Sequence, residues 1–134
     1  MAKVENIIFC LQAVNMDEQG VTAQNILNAL NPEYIPGLFT FSVIVSVLDV
    51  DSETGHQIEV DFVDPEGNSV VHVEGSMPPL PTDSSNLPKE YKGIDISMNW
   101  NNVHFKISGS YELTLKLDGQ CIGSKSIFVK GKNE

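Results

Sequence analysis

The sequence predicts an all-β fold, and three observations carry that prediction. Between residues 111 and 117, Tyr111, Leu113, Leu115 and Leu117 share one parity and Glu112, Thr114 and Lys116 the other. That period of two marks a strand with one buried and one wetted face. Residues 39–47 repeat the pattern, with Phe39, Phe41, Val43, Val45 and Val47 on one face and Thr40, Ser42, Ile44 and Ser46 on the other. Asp118-Gly119 separates two apolar-rich runs, and Asp-Gly is a strong hairpin signal because glycine enters positive φ at little cost.

Length and composition set the bounds. The 134 residues suit one domain, residues 1–134, with a core that needs no disulfide staples. No apolar run approaches the roughly 20 residues of a membrane helix, and the apolar stretch 7–11 is too short for a signal-peptide core. The chain is therefore expected in the cytoplasm, with no membrane partner. Eighteen acidic against eight basic side chains give a formal net charge of -10, which argues against direct nucleic-acid binding. Cys10 and Cys121 are the only cysteines; without a secretion signal they are expected as reduced thiols, and their spacing offers no zinc site.

Taken in order, residues 4–14 form the first strand. Both parities are apolar, Ile7, Phe9, Leu11 and Ala13 against Ile8, Cys10 and Val14, so it is central or covered on both faces. Residues 21–30 are ambiguous. Ala23, Ile26, Leu27 and Leu30 have helical spacing behind a capping Thr22, whereas a strand here would complete a hairpin with the first. Pro32 and Pro36 end the element either way. After the strand at 39–47, Ile58, Val60 and Phe62 alternate with Glu59 and Asp61, and Asp64-Pro65-Glu66-Gly67-Asn68 is a turn. A short strand follows at 70–73. Residues 75–96 hold a long proline-rich loop before a strand at 103–107 and the closing hairpin. A two- or four-residue loop at Asp118-Gly119 sets Ile122 beside Leu115; a three-residue loop sets Cys121 beside Leu117 and turns every later side chain over. The sum is about eight strands, a single antiparallel two-sheet sandwich of immunoglobulin or fibronectin type III character.

Three segments also carry a resemblance. They are IIFCLQAVNMDEQGVTAQNILNAL with its proline-containing lead into FTFSVIVSV, then GHQIEVDFVDPEGNSVV, then FKISGSYELTLKLDGQCIG. In these the chain resembles a family of short, uncharacterised bacterial β-sandwich proteins, a domain of unknown function. The resemblance implies a sandwich, no established activity and no functional residue. It favours a strand at 21–30, although Gln24, Asn25 and Asn28 leave a bulge or short helix open.

Candidate chemistry is sparse. Asp49, Asp51 and Glu53, with Asp64 and Glu66, would suit Ca²⁺ if they met at one end of the sandwich. Their spacing is no EF-hand, since Thr54 and Val60 stand where Gly and Glu are required, and solvated turns contain the same residues. His56, His72 and His104 are scattered and read as surface histidines. No G-x-S-x-G is present; Cys10 lies in an apolar strand, and Glu59 and Asp61 lie on an outer strand face with no pocket to shift them. The expectation is no catalytic residue, no cofactor and no metal.

The proline-rich loop is the better binding candidate. Pro78-Pro79-Leu80-Pro81 suits a polyproline II segment, and loops on rigid sandwiches often bind. Met77, Leu80, Tyr91 and Trp100 are the expected partner-binding residues, against a competing reading in which Trp100 fills the core beneath the loop. The leading expectation is a non-catalytic protein-interaction module of the bacterial cytosol with a protein partner. One alternative is a small acidic inhibitor, phage- or prophage-type, occupying a basic nucleic-acid-binding surface of a host protein. Another is a small enzyme or metal-binding protein using the acidic loops. An exposed sheet edge would also permit a homodimer.

Overall fold

In the computed structural model, residues 2–16, 20–50, 54–79 and 87–134 are described. The alternating segments become nine strands among these residues: β1 (Lys3–Met16), β2 (Gly20–Leu27), β3 (Ala29–Leu30), β4 (Gly37–Leu48), β5 (His56–Val63), β6 (Ser69–Met77), β7 (Gly93–Phe105), β8 (Gly109–Leu117) and β9 (Gln120–Val129). They form two packed sheets, one ordered β2-β1-β4-β7 and the other β3-β9-β8-β5-β6. The all-β two-sheet sandwich is thus as the alternation predicts. Every ladder is antiparallel except the short one between β3 and β9, because the chain leaves β2 and crosses to the second sheet within a few residues.

The inner faces meet on one aromatic cluster. Phe9, Phe41, Phe62, Phe105 and Tyr111 are fully buried, and neighbouring rings lie 5.2–6.3 Å apart, from Phe105–Tyr111 to Phe9–Phe41. These spacings suit tilted and edge-to-face ring pairs. Tyr111 opens β8, and its hydroxyl donates to the carbonyl of Ile107 at 2.7 Å. That bond ties the chain where it passes from β7 to β8, in the manner of the tyrosine corner of immunoglobulin-like sandwiches.

Residues 21–30 are extended, not helical: β2 runs to Leu27, and after a bend at Asn28 the two residues of β3 join the other sheet. Each of Phe9, Cys10, Gln12 and Ala13 faces a β2 residue in one unbroken register, from Leu27 back to Ala23. Helical spacing lost because β1 offers a pairing edge. Ile26, one of the helix-spaced residues, ends 61% exposed, and Asn25 takes a left-handed φ of 58° within the strand. Asparagine tolerates that conformation better than most residues.

The long loop is shorter than its composition suggests. β6 runs on to Met77 and β7 begins at Gly93, with a 3-10 turn at Lys89–Tyr91. Gly93 packs where any β-carbon would stand 2.0 Å from the Val47 carbonyl oxygen, so only glycine lets β7 start here. Ile94, Ile96 and Met98 alternate inward from that point and pack against the core.

The last hairpin takes neither simple register throughout. Asp118 and Gly119 have φ of 51° and 82°, the two positive values of a type I′ turn, and Leu117 pairs with Gln120 and Lys116 with Cys121. A bulge at Ile122 then sets Gly123 opposite Leu115. The turn is two residues long, yet beyond the bulge the side chains fall as after a three-residue loop. Gly123 also permits β1 to approach, since a β-carbon there would lie 2.5 Å from that of Val4.

Two flanks result. On one, β1 packs beside β9, and Lys125 Nζ donates to the Ile7 carbonyl at 2.8 Å. On the other lie the edge strands β6 and β7, in contact across the sandwich. Both cysteines are free, Cys10 buried and Cys121 exposed.

Candidate functional site

Outward side chains of β5 and β6 build a cluster of three carboxylates around one imidazole. In this hairpin Glu59 stands opposite Glu74 and Asp61 opposite His72, and the pair between them is buried Val60 and exposed Val73. Residues two apart on a strand share a face, so all four side chains project from the outer surface of the sheet. His72 Nε2–H donates to Glu74 Oε1 at 2.9 Å and lies 3.7 Å from Glu59 Oε1. The other ring nitrogen, Nδ1, is 3.7 Å from Asp61 Oδ1. Asp61 is held in turn by the Ser69 hydroxyl, which donates at 2.5 Å. Its hydrogen bond to Glu74 and the surrounding carboxylates hold His72 above the ordinary imidazole range.

The β5–β6 turn fixes this hairpin. Asp64 Oδ1 accepts the backbone N–H of Glu66 and of Asn68, each at 2.9 Å, and Gly67 takes a φ of 87°. A bulge at Val70 follows, and it is what brings His72 onto the carboxylate face. The sequence singled out Glu59 and Asp61 as a pair and His72 as a scattered histidine. What joins them is the i, i+2 repetition Glu59-x-Asp61 and His72-x-Glu74 across a strong turn; the bulge, which sets their parity, leaves no comparable mark.

A second constellation sits at the opposite end of β5. His56 Nδ1 is 2.7 Å from Asp118 Oδ2, while Asp118 Oδ1 accepts the Gln57 N–H at 2.9 Å. The contact with His56, reinforced by Gln57, holds the Asp118 carboxyl below the usual range. The pair borders an open groove of about 290 Å³ that Asp49 and Lys89 also line, and among the described residues no Ser, Thr or Cys lines it. Its evident work is to pin the β8–β9 turn to β5.

The acidic turns do not join. Asp49 lies before β5 and Asp64 after it, and the eight residues between His56 and Val63 separate them by roughly 26 Å at strand rise. Asp51 and Glu53 lie outside the described residues. The partner-binding residues also part company. Trp100 is only 8% exposed and packs its ring 5.5 Å from Phe41 and 5.8 Å from Phe62, so it is a core residue and no surface anchor. The reason is parity, since Trp100 continues the inward row of β7. Met77 is half-buried at the end of β6 and packs against the core. Tyr91 is 59% exposed, just before β7, and Leu87 is 55% exposed. Leu80 lies outside the described residues.

Comparison with known proteins gives a family and two similar solved structures. The chain is similar to an immunoglobulin-like protein from Pseudomonas aeruginosa, with 12% identity, a TM-score of 0.45 and 97% of each chain covered. It is also similar to the Pseudomonas fluorescens alkylpurine DNA glycosylase AlkC bound to DNA containing an abasic site analog. There the identity is 8% and the TM-score 0.46, over 96% of this chain and 30% of that one. No curated protein matches. A family model matches residues 5–130, and the chain accordingly belongs to that family, the family of unknown function DUF6941.

Proposed function

We propose that this protein is a non-catalytic protein-interaction module of the bacterial cytosol, and that its partner adds an extended segment to the free edge of β7. One observation carries the reading. β7 is 13 residues long, and among the described residues it pairs with β4 alone. From Gly93 to Trp100 the strand is regular, and its bulge and the left-handed Asn102 come only afterwards. Such an edge presents a row of backbone donors and acceptors that an incoming strand satisfies. Exposed Tyr91 and Leu87 stand at its start, where an aromatic and an aliphatic contact would add apolar affinity.

The test uses the purified chain as bait in bacterial lysate at low and high salt, beside Tyr91→Ala and Ser97→Lys variants. Ser97 is exposed on β7, and lysine on an edge strand discourages pairing. A partner held through high salt and lost with either variant supports the reading. A partner that both variants retain overturns the β7 site, and a concentration-dependent dimer without other partners points to edge pairing between copies.

A second reading is the acidic inhibitor of a basic surface. Glu59, Asp61, Glu74 and Glu112 share the outer face of β5, β6 and β8, a concentration of carboxylates suited to a basic partner. Capture of a nucleic-acid-processing protein at low salt only, abolished by Glu74→Lys, would select it.

A further inference from the structure

We infer that Glu59, His72 and Glu74 form a binding site for one divalent transition-metal ion of the Zn²⁺ class, with Asp61 positioning the imidazole. One ligand atom from each of the three lies within 4.8 Å of the other two. Zinc bonds of about 2.0–2.1 Å to nitrogen and oxygen place tetrahedral ligands about 3.3 Å apart. The distances from His72 Nε2 to Glu74 and Glu59, 2.9 and 3.7 Å, bracket that value, so small side-chain rotations close the site.

Three further features favour a cation. The imidazole faces carboxylates at both nitrogens: Nε2 toward the two glutamates, and Nδ1 toward Asp61 at 3.7 Å, an ion-pair distance that must close before a hydrogen bond forms. Binding a metal releases the Nε2 proton that Glu74 accepts in the free protein. A carboxylate behind a ligating histidine fixes its tautomer and raises its basicity, a recurring arrangement around protein-bound zinc. Charge is also left over. Among the described residues the ion pairs of Glu59, Asp61 and Glu74 are all with His72, and the one further cation beside them on this face is Lys116, opposite Glu59 on β8, so negative charge remains in excess. Glu59 and Glu74 stand directly opposite each other, an unfavourable cross-strand pairing that a dication between them relieves. Finally, all four side chains project from paired strands, which hold a ligand set more accurately than loops do. One nitrogen and two carboxylate oxygens suit zinc and its transition-metal neighbours better than calcium, which takes six to eight oxygens. The site leaves a fourth position to water and faces solvent. It is independent of the β7 edge and of the acidic turns.

The test is calorimetric titration of the full chain with Zn²⁺ alone, beside His72→Gln, Glu74→Gln, Asp61→Asn and His104→Gln variants. The expected result is one equivalent bound, weakened at least about tenfold by His72→Gln or Glu74→Gln and unaffected by His104→Gln. Asp61→Asn weakens binding about tenfold, as loss of an outer carboxylate does. Heteronuclear NMR on the same samples reads position: zinc should shift the His72 ring resonances and leave those of His104 in place. No saturable binding by about 1 mM Zn²⁺, a free-energy range of about 4 kcal/mol, overturns the inference. So does undiminished binding by His72→Gln, or a zinc shift confined to another histidine. The substituted side chains are exposed or half-exposed, and circular dichroism confirms that each variant is folded.

Discussion

The outer faces of the two sheets obey the same alternation and reach opposite ends. On the β1–β4 face, Ile8, Cys10 and Ile44 point away from the aromatic core yet are not wet. Ala13, Val21 and Ala23 of the β1–β2 hairpin pack on them as a second, smaller core. β2 is an edge strand, yet it approaches β7 at the far side of its own sheet, so this hairpin curls over the face. Cys10 is fully buried there, and desolvation pushes its thiol pKa up. On the β5–β6 face the same positions carry Glu59, Asp61, His72 and Glu74, each with 38–69% of its side chain exposed. The difference teaches that an outward apolar row recruits cover, whereas an outward charged row stays available to ligands. Apolar surface left in water costs about 25 cal/mol per Å²; paired surface charges cost little to leave where they are.

Stability measurements can break or sharpen that contrast. The shared inner layer sets the scale. Phe62→Ala, at a fully buried ring touching five aromatic neighbours on both sheets, should cost about 3–5 kcal/mol in chemical denaturation. If the β1–β4 outer face is a true second core, Ile44→Ala follows with about 2–3 kcal/mol; a cost within about 0.5 kcal/mol would mean that the hairpin does not cover it. On the charged face the effect should nearly vanish. Glu74→Lys places an opposite charge across from Glu59 but removes the His72 hydrogen bond, so the stability of the metal-free protein, read from the denaturation midpoint, should change by no more than about 0.5 kcal/mol.

The smallest effect concerns pH. The folded-state pKa of Asp118 lies below the usual carboxylate range, chiefly through His56. A depressed carboxyl contributes stability that is fully present above its unfolded pKa and lost as pH falls through the folded one. Denaturation midpoints measured between about pH 2 and 5 should therefore fall less steeply for Asp118→Asn than for the parent. An unchanged acid limb would show that the His56–Asp118 contact carries no stability.

Much of this was legible in the sequence. Alternation at 39–47 and 111–117 predicts β4 and β8, the Asp-Gly pair predicts the type I′ turn, and the doubly apolar parity of residues 4–14 predicts cover on both faces of β1. Three things were not legible, for different reasons. The Pro- and Ser-rich composition of 75–96 hid the inward row Ile94, Ile96, Met98 and Trp100, because a strand beside β4 needs only alternate apolar positions. Residues 21–30 carry a helical spacing that gives way once a paired edge is available. Trp100 looks like an anchor until its parity is known.

What the sequence determined by itself was therefore local: which segments extend, where the chain turns and which residues prefer to be dry. What only the tertiary structure decided was register and meeting. A bulge at Val70 sets His72 against Asp61, and another at Ile122 reverses the parity of the rest of β9. Each bulge is a single extra residue whose position answers to packing between sheets. A one-residue shift exchanges the faces of every side chain beyond it. Polarity is written residue by residue, but the partners across a sheet depend on a count that closes only when both sheets are in place.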